Sequence, residues 1–251
     1  MLHPFRLCLY LTVVLFSIGA AAPSIVGAVP SFVPPAAPSF VPPVAHAALV
    51  RDFPQGLEIR KELFPGYRKW STAMGRGWAR ARAGEARCAR ELGTPCRLER
   101  WSRFLETLGR ADPEAQLRAV NRFVNATPFI EDRDNWGAKD YWSAPGEFFA
   151  RGGDCEDYAI SKYLSLRRLG FLAEDLRLVV LIDTRRRLAH AILVVDLDGR
   201  SLVLDNLEDR ALEWAEVGHY RPLYSLNERA VWLHAAVKGK ARIARARTKG
   251  P

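Results

Sequence analysis

Asp154-Cys155-Glu156-Asp157 sets one thiol among three carboxylates, directly after Gly152-Gly153. A cysteine attacks as its thiolate, and a helix N-terminus lowers its pKa because the partial positive charge there favours the anion. The residues that follow supply such a helix. Ala159, Ile160, Tyr163, Leu164 and Leu166 recur as an apolar stripe, and Gly170 should end it as a C′ residue. Cys155 is therefore expected at or near a helix N-terminus, where it is a candidate nucleophile. The acids around it oppose that role, since like charges raise a thiol pKa. Two readings answer the conflict. A bound cation would cancel the charge, and carboxylate oxygens without a nearby Cys/His set suit Ca²⁺ rather than Zn²⁺. Alternatively the acids only cap the helix, which its dipole also favours. These residues by themselves favour neither.

A thiol needs a base, and His190, His219 and His234 are the only histidines beyond residue 46. If Asp198-Gly199 is a two-residue hairpin loop, Ile192 faces Asp205 and Leu207 faces His190. Side chains alternate along strands, so His190, Ile192 and Asp205 share a face. His190 and Asp205 are then diagonal neighbours at ~7 Å, within reach of an imidazole–carboxylate hydrogen bond. That supplies a base and the group that orients it, as a catalytic triad demands. His219 lies in a polar, loop-like segment and His234 follows an apolar strip, so both read as structural.

The elements that must hold these groups follow from local signals. Asp112-Pro113 starts a helix, with Asp as N-cap and Pro at N1, and Leu117, Val120 and Val124 follow at helical spacing. Pro145, Gly146, Gly152 and Gly153 mark a loop. After Gly170 the pattern becomes strands, at Leu176 to Ile182, Ala189 to Asp196 and Ser201 to Asp205. Helices preceding strands predict an α+β fold.

With 251 residues, 49% hydrophobic and 26% charged, the chain fits one globular domain with extensions. Arg6 precedes an apolar run from Leu7 to Ala22 that ends in small residues, so 1–22 reads as a signal peptide, with an uncleaved anchor as the alternative. Residues 23–50 carry Pro-Ser-Phe-Val-Pro-Pro twice and read as a semi-rigid Pro-rich tether. The folded domain is assigned to 51–237 and a basic, unfolded tail to 238–251. The net charge of +9 owes much to that tail, which lacks the interleaved aromatics of a nucleic-acid surface. Export implies a periplasmic, oxidising compartment. Cys8 would leave with the signal, Cys88 and Cys96 would pair, and Cys155 would remain a free thiol.

The run DYWSAPGEFFARGGDCEDYAISKYLSL, the His190 strand, LDNL at Leu204 to Leu207 and PLYSLN at Pro222 to Asn227 together resemble the bacterial transglutaminase-like cysteine proteinases. The likeness spans Trp101 to Leu233 and is strongest to the adhesin-releasing proteases of the LapG type. It implies a papain-like fold in which a helical part carries the nucleophile and an antiparallel sheet carries His and Asp, giving a triad of Cys155, His190 and Asp205. It also implies Ca²⁺ held by Asp154 and Glu156, with Asp157 as a further ligand, and so tips the balance from caps to metal. The activity implied is cleavage of a large surface adhesin or envelope protein at a double-alanine site, releasing cells from a biofilm. The partner implied is an inner-membrane receptor that senses cyclic di-GMP and sequesters the protease. A transglutaminase or amidase using the same triad, and a non-catalytic binding module of the same fold, are the competing readings.

Overall fold

Asp112 caps the predicted helix: its Oδ1 accepts from Ala115 N at 2.9 Å, and the helix runs Pro113–Asn125. Such a cap stabilises a helix by ~1 kcal/mol. This computed structural model describes residues 57–61, 65–83 and 97–235. The signal, tether and tail assigned to 1–22, 23–50 and 238–251 lie outside them. Six α-helices are described: α1 (Pro65–Ala83), α2 (Arg97–Leu108), α3 (Pro113–Asn125), α4 (Asp132–Trp136), α5 (Pro145–Arg151) and α6 (Cys155–Arg168). Seven strands follow the same numbering: β1 (Leu57–Lys61), β2 (Leu176–Asp183), β3 (Leu188–Leu197), β4 (Arg200–Asp205), β5 (Glu208–Glu213), β6 (Tyr220–Leu226) and β7 (Val231–Ala235).

The strands form one antiparallel sheet in the order β1-β7-β6-β2-β3-β4-β5. With the helices gathered before it, apart from the edge strand β1, this is the expected α+β arrangement. Asp198 and Gly199 take φ of 53° and 75°, the left-handed pair that a two-residue hairpin turn requires. The register is the one anticipated, with Leu193 opposite Leu204 and Val195 opposite Leu202.

Helix α6 is the spine of the domain. Ile160, Tyr163 and Leu166 are fully buried and pack with Ala191, Leu193 and Leu204 of the sheet. From the other side, Trp70 of α1 meets Tyr163 edge-on at 4.7 Å between ring centroids. The helix ends in a Schellman motif: Gly170 at φ 101° lets Phe171 N reach Leu166 O (3.1 Å) and Gly170 N reach Arg167 O (3.3 Å). A second apolar cluster, Val179, Leu181, Ile192, Val194, Val203, Val217 and Tyr220, gathers the alternate residues of the same strands.

Candidate active site

Cys155 is the first residue of α6, so the sequence places it at the positive end of the helix dipole. It is fully buried, and its Sγ lies 3.0 Å from Glu156 Oε2. The entry into this helix is sterically tight. A Cβ on Gly153 would fall 2.1 Å from Asp157 Oδ2, so no larger residue fits there without displacing that carboxylate.

His190 and Asp205 meet as the parity argument requires: Nε2 lies 2.9 Å from Asp205 Oδ1, with both side chains buried. Oδ1 also accepts from Leu207 N at 3.0 Å, and Oδ2 accepts from the Tyr220 hydroxyl at 2.6 Å. Burial would raise the Asp205 pKa, but the charge and hydrogen bond of His190, with the Tyr220 and Leu207 donors, outweigh it and hold the carboxyl well below its ordinary value. An ionised carboxylate only accepts, so Nε2 carries the proton and Nδ1 is the nitrogen left to act as base. The position of Tyr220 at the start of β6, paired with Asp183 of β2, brings it to this carboxylate. No local motif marked it, because the contact depends on sheet order. Replacing Tyr220 with Phe removes one of three donors to Asp205. The expected result is a fall in kcat of about 10-fold or more with the fold intact, the scale of one hydrogen bond to a charged group. Steady-state kinetics checks it, and a wild-type kcat would contradict it.

Neither of the other two histidines is hydrogen-bonded to this pair. His234 is largely buried, its Nε2 lies 2.9 Å from Ser225 Oγ, and burial lowers its pKa to about 4. His219 lies against Tyr220 at 4.3 Å between ring centroids with the rings tilted by 52°, and its backbone carbonyl accepts from the N–H and hydroxyl of Thr184.

One expectation is overturned. Cys155 does not keep a free thiol here but is joined in a disulfide, and its partner lies outside the described residues. The expected Cys88–Cys96 bridge also lies outside them. The physical reason is that disulfide formation needs only a second cysteine sulfur within reach of Cys155, and spacing along the chain does not decide which sulfurs meet. A disulfide sulfur cannot act as nucleophile, so this form should need reduction. Iodoacetamide is expected to label Cys155 only after dithiothreitol treatment, as read by peptide mass mapping. Labelling without reductant would contradict this.

The three acids divide into different roles. Asp157, at the third helical position, accepts from Ser143 N (2.6 Å) and Asp154 N (3.2 Å), so it caps the chain around the helix start. Asp154 occupies the N-cap position, yet its Oδ1 is buried without a hydrogen-bond partner. Asp132 Oδ1 and Asp140 Oδ1 are buried in the same unpaired condition. Two sets of carboxylates converge: Asp132, Asp154 and Asp157 offer oxygens within 4.8 Å of one another, and so do Asp132, Asp140 and Glu156. Asp132 and Asp140 escaped sequence reasoning because they lie on and after the separate short helix α4, at no motif spacing from Cys155.

Burial, then the neighbouring Asp140 and Asp132 charges, push Glu156 up to about 8. Burial likewise raises Asp132 to about 6. Asp154 and Asp157 are raised by burial and by Glu156. A buried group of acids with unpaired oxygens must hold protons or a cation. The donors are all oxygen, which fits a hard ion such as Ca²⁺.

A cysteine at a helix N-terminus, a buried His–Asp pair on adjoining antiparallel strands and an acid cluster beside the sulfur together describe a cysteine proteinase of the transglutaminase-like type. The chain belongs to the bacterial transglutaminase-like cysteine proteinases: the model of that family matches residues 86–239. Among solved structures it is similar to Legionella pneumophila LapG, with 28% identity over 68% of this chain and 88% of that one, at a TM-score of 0.52. It is also similar to the calcium-bound LapG, with 27% identity over 72% and 93% and a TM-score of 0.53. The EGTA-treated LapG gives 27% identity over 69% and 88%, again at 0.53. No curated protein sequence matches the chain.

Proposed function

We propose that this chain is a calcium-dependent periplasmic cysteine endopeptidase that cleaves a large surface adhesin or another envelope protein at a small-residue site, and so affects biofilm attachment. The buried His190–Asp205 hydrogen bond, in a member of a cysteine proteinase family, is the observation that carries the reading. Once Cys155 is reduced, His190 Nδ1 takes the thiol proton and the sulfur attacks the carbonyl carbon of the scissile bond. The imidazolium then protonates the leaving amine, and His190 next serves as base for the water that hydrolyses the acyl-enzyme. Asp205 fixes the ring through Nε2–H and stabilises its cationic form.

Asp132, Asp140, Asp154, Glu156 and Asp157 are the residues that would hold Ca²⁺. Bound there, the ion would offset the negative charge beside Cys155 and so favour the thiolate. The similarity to a calcium-bound relative supports this part of the reading. The apolar run from Leu7 to Ala22 supports export, and an inner-membrane receptor sensing cyclic di-GMP is the proposed regulatory partner. The test is incubation of the reduced mature protein with envelope proteins of its own cell. A defined protein should be cut with Ca²⁺ and spared with EGTA. Cleavage of nothing in either condition would overturn the reading.

A further inference from the structure

The β4–β5 connection that carries Asp205 is irregular. Asp205 pairs with Glu208 across the turn, but the next pair along is Val203 with Leu212, so Asp209, Arg210 and Ala211 of β5 stand against Leu204 alone. Such an excess on one strand breaks the ladder locally and re-aims the side chain beside it. Regular strand pairing therefore does not by itself fix where the Asp205 carboxylate points, and its bond from Leu207 N ties it only to the same turn.

Helix α3 reaches this turn with two asparagines. It packs on β4 and β5, and Asn121 and Asn125, four residues apart, fall on one face of it, one helical turn from each other. Asn125 Nδ2 donates to Asp205 O (3.0 Å), Glu208 O (3.2 Å) and Asp209 Oδ1 (2.9 Å), and Asn121 Nδ2 donates to Glu208 O (2.7 Å). Two N–H protons of Asn125 thus serve three acceptors, and the reversed amide would set an oxygen against all three. The amide oxygens of both asparagines are buried without a donor. A buried amide with its oxygen unpaired is destabilising in itself, so what these residues contribute is directed at the turn.

We propose that Asn125, supported by Asn121 one turn earlier, is a positioning residue of the catalytic pair: it clamps the irregular β4–β5 turn through the Asp205 and Glu208 carbonyls and so holds the carboxylate where it meets His190. It touches no reacting atom and acts through Asp205. The inference rests on the triad reading for its catalytic consequence, although its structural part concerns only the His190–Asp205 pair.

The experiment follows the His190 Nε2–H proton by NMR in the reduced, Ca²⁺-loaded mature protein without substrate, with His190→Ala identifying the resonance. In Asn125→Leu, of similar size but without donors, solvent exchange of that proton should accelerate about 10-fold or more. On a fluorogenic peptide with an Ala-Ala bond, kcat should fall about 5-fold or more, the scale of one neutral hydrogen bond, while KM stays within about twofold. An asparagine that only stabilised the fold would lower the melting temperature and leave both readings at wild-type values in the folded protein. In the Asp205→Ala background, which has no carboxylate to place, the same change should add no further loss of kcat. Asn125→Asp, which keeps the shape and offers no N–H, is the second variant if Asn125→Leu does not fold. Wild-type proton exchange in the folded variant would overturn the inference, as would an equal further loss of kcat in the Asp205→Ala background. A wild-type kcat for Asp205→Ala would instead strike the triad reading, and the exchange measurement, made without substrate, keeps the two failures apart.

Discussion

Cys155→Ala and His190→Ala proteins are expected to fold and to lose cleavage by on the order of 10⁴-fold or more, while Asp205→Asn loses on the order of 10³-fold. The difference follows from what each group does. Without Cys155 there is no sulfur to form the acyl-enzyme, and without His190 the proposed base that moves the proton is gone. Asp205 orients and stabilises, and an asparagine still occupies its place. The two single losses should not add, since nucleophile and base serve one step. The pair should also be robust at neutral pH. The folded pKa of Asp205 is depressed, so its contribution to stability is complete above the ordinary carboxylate range and is lost only as pH falls through the lowered folded value. Initial rates on the cleaved envelope protein, with circular dichroism to verify folding, check the set. Full activity in either Cys155→Ala or His190→Ala would contradict it.

The second large effect concerns calcium. EGTA should abolish cleavage reversibly, and Asp132→Ala, Asp154→Ala and Glu156→Ala should each imitate the chelator. Asp157→Asn should behave differently and show mainly lost stability, because that carboxylate also holds the backbone N–H groups of Ser143 and Asp154. A pH signature accompanies the loss of metal. Glu156 and Asp132 have folded pKa values raised to about 8 and about 6, so in this range the folded protein binds more protons than the unfolded chain. Stability of the chelated protein should therefore fall as pH rises from the ordinary carboxylate range towards about 8. Ca²⁺ should flatten that slope and, at about 100 times its Kd, add ~2.7 kcal/mol. Thermal melts at several pH values, with and without Ca²⁺, make the comparison. An unchanged rate in excess EGTA would show that the acids serve only as caps.

The parts of the site that depend on short-range rules were legible in the sequence. The turn at Asp198-Gly199 fixes the β3–β4 register, and the alternation of side chains then brings His190 to Asp205. The stripe after Cys155 and the C′ residue Gly170 define α6 from both ends. What was missed depends on tertiary placement. Tyr220 reaches Asp205 because β6 lies beside β2, an order no local signal records. Asp132 joins the acids because α4 folds back onto the start of α6, where Ile130 N bonds Gly153 O at 2.9 Å. The redox state of Cys155 was misjudged because spacing along the chain favoured Cys88 with Cys96, whereas a disulfide forms wherever the fold brings two sulfurs within reach.

The central claim is that Cys155 is the nucleophile of a proteolytic reaction served by His190. Acid quenching of the reduced, Ca²⁺-loaded protein during cleavage, followed by peptide mass mapping, tests it most directly. The account predicts an acyl adduct on Cys155 that is absent from the His190→Ala protein. An adduct on Cys88 or Cys96 instead, or undiminished cleavage after Cys155 has been alkylated, would contradict it.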